Sequence, residues 1–589
     1  MTVSLRPVPD SDRGQVELVP EPGQALAIGP LAIERLAVEA SADDDLELAR
    51  WQRRRTRLAA VVARLDLTAL TEALAGRRDR LAAAGATEVA LTFTDDTVAL
   101  TARIADGLAG AELSAHGALL SRGRVLRVVF GGVRVHGHLP TPAPIAVQRL
   151  LEAACDGLDA VRVVGLLELE LDVATLATWR LLPPAGWRLP SLDGVRIARL
   201  TLDAAALRVE LAATGDEPPP SSLGVAWSTA HAAMHAADEL LRKGLYDDAM
   251  RGYRALLAGA GPDQPALLER ILAITSARPS WFVDGRELAR QALARWPEFA
   301  PAHAALASIA LAEGDTREAA TRLATVAQLA ARQGDRAGAR LAALAAARLY
   351  RVIEPAAATP LYQRALALVP GLREAEDALI ERYADEKRWR ELVALHDARG
   401  ARESGRERAA AWAEAARIAC DELGDLDGAR ALATRALAAA PIAAAHLAAG
   451  RVAAAAGDGA AAQAAFHAAA TTAAAAGDRA TRLAALVARA RMLDRSGEVD
   501  AAAAAWDEAI ARGEREPELL GAAAAAAARA ERHADAVAYG RALVAVRPDD
   551  AAAALGLGQS LLAVGEIAEG EATLARASGG PPAIAAEAR

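Results

Sequence analysis

Two histidine pairs are the residues whose type and spacing come nearest to a metal site. His136 and His138 lie two apart in a strand-forming segment, so their side chains share a face, a spacing that metal sites use. His231 and His235 lie one helical turn apart in "HAAMH", but Ala232 stands where a zinc protease has its catalytic Glu. We predict that the first pair is exposed on its strand and that the second packs within a repeat or faces solvent. No metal and no cofactor are predicted.

Two charged segments could bind ions. Glu168, Glu170 and Asp172 form a row of carboxylates on one strand face, which suits either a cation site or a solvated face. The run "RWQRRRTR" places basic side chains on or near one side of a predicted helix, where they would meet lipid phosphates, an acidic partner or solvent. The residues of this basic patch are Arg50, Arg53, Arg54 and Arg57.

Composition excludes several classes of protein. A net charge of -9 argues against a nucleic-acid partner, which would call for a basic stripe. Two distant cysteines, Cys155 and Cys420, exclude a disulfide framework. The sequence has no phosphate-binding glycine loop and no nucleophile elbow, so we do not expect an enzyme. With no secretory signal and no transmembrane segment recognisable, a cytoplasmic protein is expected, and the Ala, Arg and Gly usage is typical of a GC-rich bacterial genome.

The region before residue 214 alternates with period two, as strands do. Residues 89–104 predict a hairpin that turns at Asp95 and Asp96, and further strands are predicted around 167–172 and 207–211. In "GRVLRVVFGGVRVHGHLPTP" the apolar positions are even-numbered before Gly131-Gly132 and odd-numbered after it. This shift of one residue indicates a bulge that bends a long strand, and hence a curved antiparallel sheet. Helices are predicted over 44–66, 68–84, 140–154 and 173–182.

The order of these elements, with the ending "GWRLPSLDGVRIARLTLDAAALRVELAA", resembles the tubular lipid-binding superfamily over about residues 20–213. The resemblance implies a bent sheet that wraps a long helix and leaves a groove for an acyl chain or another slender apolar ligand. A closed core without a cavity is the alternative. The residues predicted to line the groove are Leu126, Val128, Phe130, Val133 and Val135.

A linker divides the chain. Residues 214–226 contain three consecutive prolines, which continue neither a helix nor a central strand. We predict a flexible tail over 1–19, an α+β domain over 20–213, this linker, and an all-α region over 227–589. Since few contacts are expected to cross the linker, the all-α region should fold without residues 1–213.

A pattern with a period of about 34 residues recurs after the linker. A Gly ends one helix, an Ala five residues later allows close packing, and a larger residue usually follows four further on. The sets are Gly244, Ala249 and Tyr253; Gly314, Ala319 and Leu323; Gly424, Ala429 and Ala433; Gly457, Ala462 and Phe466; Gly497, Ala502 and Trp506; Gly565, Gly570 and Leu574.

These positions resemble the tetratricopeptide repeat family over about residues 227–582, with Leu557 and Gly558 at the family's Leu-Gly pair. Lys387 and Glu354 depart from it, because they stand where Gly is usual. The resemblance implies a right-handed solenoid whose concave face binds a protein or peptide. No clamp of Lys, Asn and Arg occurs at matching places, so a smooth, weakly polar groove is expected.

Three functions remain open. The first is a non-enzymatic adaptor, in which the repeats bind a protein and the sheet domain holds an apolar ligand. The second is a scaffold whose sheet domain serves dimerisation or docking without a ligand. The third is a metal-dependent enzyme that uses His136 and His138.

Overall fold

The structure is a computed structural model of the chain. It describes residues 3–8, 14–20, 26–40, 48–94, 96–104, 111–158, 160–260, 265–512 and 517–588. Two compact units are present, Met1–Pro370 and Gly371–Arg589. Within the described residues, no helix is long and apolar enough to cross a membrane.

Two antiparallel sheets form the N-terminal part of the first unit. One sheet has the order β1-β2-β4-β5-β13-β12, with β3 beside β4, and the other has the order β10-β11-β9-β8-β7-β6. The strands are β1 Val3–Pro7, β2 Gln15–Pro20, β3 Ala27–Ile28, β4 Leu31–Glu39, β5 Arg57–Asp66, β6 Ala86–Phe93, β7 Thr97–Ile104, β8 Ala111–Arg122, β9 Val125–Gly137, β10 Val161–Gly165, β11 Glu168–Leu171, β12 Arg196–Leu202 and β13 Ala206–Ala212.

Helices accompany the sheets and then follow them. The helices of the sheet region are α1 Leu48–Arg53, α2 Leu67–Ala75, α3 Arg78–Ala83, α4 Ala143–Cys155 and α5 Val173–Leu181. Those that complete the first unit are α6 Ser222–Arg242, α7 Tyr246–Ala260, α8 Pro265–Thr275, α9 Phe282–Arg295, α10 Ala300–Ala312, α11 Thr316–Arg332, α12 Arg336–Ile353 and α13 Pro355–Leu368. The second unit contains α14 Arg373–Asp385, α15 Trp389–Arg402, α16 Gly405–Asp421, α17 Leu426–Ala439, α18 Ala443–Ala455, α19 Gly459–Ala476, α20 Arg479–Ser496, α21 Val499–Arg512, α22 Pro517–Arg529, α23 His533–Val546, α24 Ala551–Val564, α25 Ile567–Ala577 and α26 Pro582–Glu587.

The predicted helix over 44–66 is wrong. Helix α1 ends at Arg53, and residues 57–66 form β5, which pairs with β4 on one side and β13 on the other. A central strand buries both of its faces, so its sequence is a continuous apolar run that lacks the alternation of a half-exposed strand. The helices predicted over 68–84, 140–154 and 173–182 are confirmed as α2 with α3, α4 and α5.

The N-terminal segment and the linker also differ from expectation. Strand β1, Val3–Pro7, and all of β2, Gln15–Pro20, except its last residue lie within the predicted tail of residues 1–19. Helix α6 begins at Ser222, inside the predicted linker, and the Ser221 side chain caps it by accepting from Gly224 N at 3.3 Å. The hairpin of β6 and β7 is confirmed, although Asp95 of its predicted turn lies outside the described residues.

The expectation that few contacts cross the linker is wrong. The β8–β9 face of the second sheet packs on α6, α8, α10 and α12. One apolar core runs from the sheets into α6, α7 and α8, where it includes Met234, Tyr253 and Ile271. Sheets and following helices therefore share one core inside the first unit.

The repeat pattern produces paired helices in both units. Each predicted Gly from Gly244 to Gly565 has a positive φ, between 66° and 93°, which L-residues with a side chain rarely adopt. Lys387 takes the same conformation at φ 54°, whereas Glu354 does not, at φ -155°. Ala249, Ala319 and Ala462 are fully buried where neighbouring helices touch.

Candidate functional site

An apolar cavity of about 500 Å³ lies inside the sheet region. Strands of both sheets and helices α2, α4 and α5 contribute its walls. The described lining residues are Ile28, Gly29, Pro30, Leu31, Leu65, Leu70, Leu74, Val89, Leu91, Phe93, Val98, Leu100, Leu119, Leu126, Val128, Phe130, Leu150, Leu151, Ala154, Cys155, Leu158, Val161, Leu169, Leu171, Leu176, Arg180 and Leu207. Cavities of this size and polarity are typical of sites for small ligands.

Of the five residues predicted to line a groove, three line the cavity and two are buried in the core beside it. Leu126, Val128 and Phe130 line the cavity. Val133 and Val135 are buried in the surrounding core and do not reach it. Sequence reasoning did not identify the contributions of α2, α4 and α5, because no periodicity tells which face of a helix meets a cavity.

The double glycine on β9 has two separate structural roles. Ser114 pairs with Arg134 and His116 with Gly131, so β9 has one residue more than β8 between these pairs, which is a bulge. Gly132 has φ +61° at this point. A Cβ on Gly131 would lie 2.3 Å from Cε2 of Trp227, a side chain of α6. The predicted bulge is confirmed. In addition, because Gly131 has no side chain, Trp227 of α6 can pack closely against β9.

The reverse face of β8 and β9 carries buried charges that pair with the helices. Arg134 contacts Asp335 at 2.6 Å, and His116 Nε2 lies 3.2 Å from the same carboxylate. Arg348 of α12 contacts Glu112 at 2.5 Å. Burial opposes ionisation of Asp335, but the hydrogen bond from His116 and the charges of His116 and Arg134 outweigh it and lower its pKa to about 2.

A second polar network lies where α6 and α8 approach the sheet. Arg270, buried on α8, contacts Asp238 at 2.6 Å, and Tyr253 donates its hydroxyl to the same carboxylate. Glu269 retains some exposed surface, but its Oε1 is buried without a hydrogen-bond partner. Burial raises the pKa of Glu269 to about 7, against the opposing charges of Arg134 and Arg270.

The predicted carboxylate row is paired with arginines. Arg127 contacts Glu168 at 3.3 Å and Glu170 at 2.5 Å, and Arg124 contacts Asp172 at 3.0 Å. Asp172 also caps α5 by accepting from Thr175 N. The row is therefore neither a solvated face nor an open cation site.

The histidine pairs do not form a metal site among the described residues, where no group of three or more His, Cys, Asp or Glu is placed to hold an ion. The expectation that His136 and His138 are exposed is wrong, since they are only 1% and 8% exposed. Burial, aided by the charge of Arg134, lowers the pKa of His136 to about 4, so this side chain is neutral at pH 7. His231 is half-buried, and its Nδ1 lies 3.0 Å from a Glu168 oxygen.

A polar cleft of about 650 Å³ lies between α4, α6 and the β10–β11 hairpin. Both His231 and His235 line it, together with carboxylates and arginines of the networks described above. Its charged groups already have partners: Arg127 binds Glu168, Asp238 binds Arg270, and Arg242 binds Glu239 at 2.7 Å.

The basic patch is not one helix face. Arg50 and Arg53 lie in α1, while Arg57 lies on β5. Arg57 donates from Nε to the carbonyl of Asp193 at 3.0 Å, and the Arg54 guanidinium lies 5.6 Å from the centre of the Trp51 ring. The turn after Arg53 thus separates residues that a continuous helix would have aligned.

The two cysteines have different surroundings. Cys155 lines the apolar cavity, and burial raises the pKa of its thiol to about 11. Cys420 is buried in α16 of the second unit. Neither environment activates a thiolate, because both raise the pKa rather than lower it.

No protein-family model and no curated protein matches this chain. Solved structures that match include the APC/C hetero-tetramer Cut9-Hcn1, Naa15/Naa10 bound to HypK-THB, and a tetratricopeptide repeat protein from Parabacteroides merdae ATCC 43184. The respective sequence identities are 14%, 16% and 15%, with TM-scores of 0.29, 0.31 and 0.23. The matches cover 54%, 55% and 42% of this chain and 60%, 65% and 93% of the matched chains, so this chain spans less than two thirds of the first two.

The helix pairs themselves define the class of the helical region. Positive-φ glycines end the first helix of a pair, buried alanines follow, and consecutive helices pack on each other, as in α16 with α17 and α18 with α19. The chain combines an N-terminal α+β region of antiparallel sheets with a tetratricopeptide-like solenoid, as the sequence predicted.

Proposed function

We propose that this chain is a non-enzymatic adaptor. Its helical repeats bind a protein or peptide on their concave face, and its sheet region holds an apolar, lipid-like ligand. The single observation that carries the ligand half of the proposal is the apolar cavity between β9, α4 and α5.

Two properties of the cavity support this role. It has room for a ligand, whereas protein interiors otherwise pack to the density of organic crystals and leave few voids larger than a water molecule. Its lining is almost entirely Leu, Val, Ile and Phe, so water inside finds few hydrogen-bond partners and an apolar molecule replaces it favourably. The resemblance to the tubular lipid-binding superfamily favours the same ligand class.

The protein-binding half is supported by the repeats. Stacked helix pairs of this kind expose an extended surface, and neighbouring repeats contribute to it in series. The helices of this region are rich in alanine, so we expect a partner to contact a weakly polar surface of mostly short side chains.

The ligand half is tested with a neutral fluorescent probe, N-phenyl-1-naphthylamine, and by organic extraction and mass spectrometry of the purified full chain. Ala154→Trp places a large side chain in the cavity wall. Ala204→Trp is the matched control, because Ala204 is exposed in the turn between β12 and β13. We expect probe binding and any extracted apolar molecule to disappear only in Ala154→Trp.

A wild-type chain that neither binds the probe nor releases an apolar molecule would contradict the ligand half. The scaffold without a ligand, whose sheet region only docks or dimerises, would then be the function to pursue. Its test is the oligomeric state of the full chain by sedimentation.

A further inference from the structure

The side chains around the apolar cavity offer almost nothing that could pair with a charge. Among the described lining residues there is no Asp, Glu, Lys or His, and no side chain with a hydroxyl or an amide group. Arg180 is the one charged residue of this lining, and Cys155 has its only other polar side chain. A ligand in the cavity is therefore surrounded by hydrocarbon.

Neither of these two side chains is available to an ionic head group. Arg180, exposed in the last turn of α5, already interacts with another group of the chain. Burial raises the pKa of the Cys155 thiol to about 11, so the thiol is neutral at pH 8 and is only a weak hydrogen-bond donor. The described lining thus supplies no counter-charge for a ligand.

The backbone around the cavity is mostly engaged as well. All described lining residues except Gly29, Pro30 and Leu158 lie in strands or helices. In such elements the backbone N–H and C=O groups bond mainly to each other, as in the pairs of β9 with β11. Few backbone groups therefore remain to solvate a head group.

The charge of a ligand decides the cost of entering such a site. An ionised group that leaves water without gaining a partner loses a large hydration free energy, whereas a hydroxyl or ester group loses much less. The exposed part of the lining does not remove this cost for an ion, because Leu158 is apolar there and Arg180 is already engaged.

We propose that the cavity selects uncharged lipids, such as long-chain alcohols or esters, and rejects amphiphiles with an ionised head, whether anionic or cationic. The hydrocarbon chain lies among the Leu, Val and Phe side chains, and a hydroxyl or ester group stays where the lining is exposed, as at Leu158. This inference rests on the proposed function and adds the chemical class of the ligand.

The experiment measures displacement of N-phenyl-1-naphthylamine from the full chain by decanol, decanoate and decyltrimethylammonium. These three molecules share a chain length and differ in the charge of the head. At pH 8 we expect decanol to bind at least about 10-fold more tightly than either ion, because each ion loses hydration without gaining a partner. The cation is included because the net charge of -9 would by itself weaken the binding of an anion only.

A change of pH tests the same selection with one molecule. At pH 8 fewer than about 1 in 1,000 carboxylic acid groups carry their proton, and this fraction grows about tenfold for each unit by which the pH falls. If only the protonated acid enters the cavity, the affinity for decanoate should rise by up to about 100-fold from pH 8 to pH 6. The affinity for decanol should stay constant, which controls for pH-dependent changes in the protein.

A substitution can supply the missing counter-charge. Leu158→Arg places a guanidinium at an exposed point of the lining and should raise the affinity for decanoate about 10-fold, with little change for decanol. Leu189→Arg is the matched control, because Leu189 is similarly exposed, 44% against 39% for Leu158, and does not line the cavity. It should leave all three affinities unchanged. Retained binding of decanol shows that each variant is folded.

Three results would overturn the inference while the proposed function stands. The first is a wild-type chain that binds either ion at pH 8 as tightly as decanol, or more tightly. The second is an affinity for decanoate that does not depend on pH, and the third is an effect of Leu158→Arg no larger than that of Leu189→Arg. If the probe and all three molecules fail to bind, the proposed ligand function fails, and this inference fails with it.

Discussion

The two compact units are built around different kinds of core. In the first unit, the largest apolar cluster extends from Val16 on β2 to Trp281 before α9, and it joins both sheets to the first helices of the repeats. In the second unit the clusters are local and consist mostly of alanine, for example the one around Trp412 and the one around Trp506.

This difference predicts different unfolding. A continuous core that also contains buried ion pairs unfolds as one cooperative block, because losing one element exposes the others. Repeats with local cores are stabilised by a sum of nearest-neighbour interfaces and can open piece by piece. The position of a helix pair in the chain, rather than its repeat sequence, therefore decides how it responds to mutation.

The largest expected effect is a difference in stability between variants of two aspartates that both cap a helix. Asp335 and Asp425 each cap a helix by accepting from the backbone N of a glycine three residues later, at 2.8 Å and 3.0 Å. Only Asp335 also neutralises the buried Arg134 and contacts His116. Asp335→Ala should lower the free energy of unfolding of the first unit by about 3–5 kcal/mol, since it leaves a buried charge without its partner.

Asp425→Ala should cost the second unit only about 1 kcal/mol, the usual value of a helix cap. Urea denaturation followed by circular dichroism measures both variants. Equal losses in the free energy of unfolding would mean that Asp335 stabilises the first unit only as a helix cap, and that its ion pair with Arg134 contributes nothing.

The next effect concerns the bulge on β9. Replacing both Gly131 and Gly132 with Val forces a Cβ against Trp227 and a β-branched residue into positive φ. Overpacking and backbone strain together should destabilise the first unit by about 2–5 kcal/mol and reduce probe binding in the cavity. Thermal melting measures the loss, and Gly556→Val is the control, because this exposed glycine of α24 has open space around it. An unchanged first-unit transition would show that neither glycine is required.

A smaller effect depends on pH. The folded chain raises the pKa of Glu269 to about 7, while the unfolded chain leaves it near its ordinary value of about 4.3. Between these values the folded state holds a proton that the unfolded state has released, so the free energy of unfolding falls as pH rises through this window. Glu269→Gln should remove that fall and stabilise the first unit at pH 8 by on the order of 1–3 kcal/mol.

Urea midpoints at pH 5 and pH 8 measure this dependence. Glu381→Gln, at an exposed position of the second unit, serves as the control and should leave the pH dependence unchanged. A wild-type first unit that is equally stable at both pH values would contradict the role given to Glu269.

The smallest effect lies in the second unit. Lys387 adopts φ 54° where most repeats have glycine, so Lys387→Gly should stabilise the second unit by about 0.5–1 kcal/mol. Gly424→Lys, at the equivalent place in the next repeat with φ 66°, should destabilise it by a similar amount. Thermal melting measures the stability of both variants. If both substitutions raised the melting temperature of the second unit, or both lowered it, the positive φ would not explain their effects.

The repeats could be predicted from sequence because their determinants are local. The Gly-to-Ala spacing that begins at Gly244 lies within a single helix–turn–helix, and the conformation of Lys387 follows from its place in that pattern. The bulge at Gly131-Gly132 was predictable for the same reason, since a phase shift is visible within one strand.

The remaining features depend on contacts between distant residues. Arg134 and Asp335 are 201 positions apart, and nothing near either one identifies the other. The alternation of Glu112, Ser114 and His116 with apolar neighbours does indicate that β8 has a polar face, but not that helices cover it. Likewise, the apolar run of β5 fits a helix until its two neighbouring strands are known.

The alanine cores of the second unit also bear on its response to temperature. An alanine side chain loses no rotamer entropy on burial and hides little apolar surface. Since the heat capacity of unfolding grows with the apolar surface exposed, it should be small per residue in this unit. The free energy of unfolding of the second unit should therefore change little over a broad temperature range. In the leucine- and valine-rich sheet region, the same free energy should change steeply with temperature on either side of its maximum.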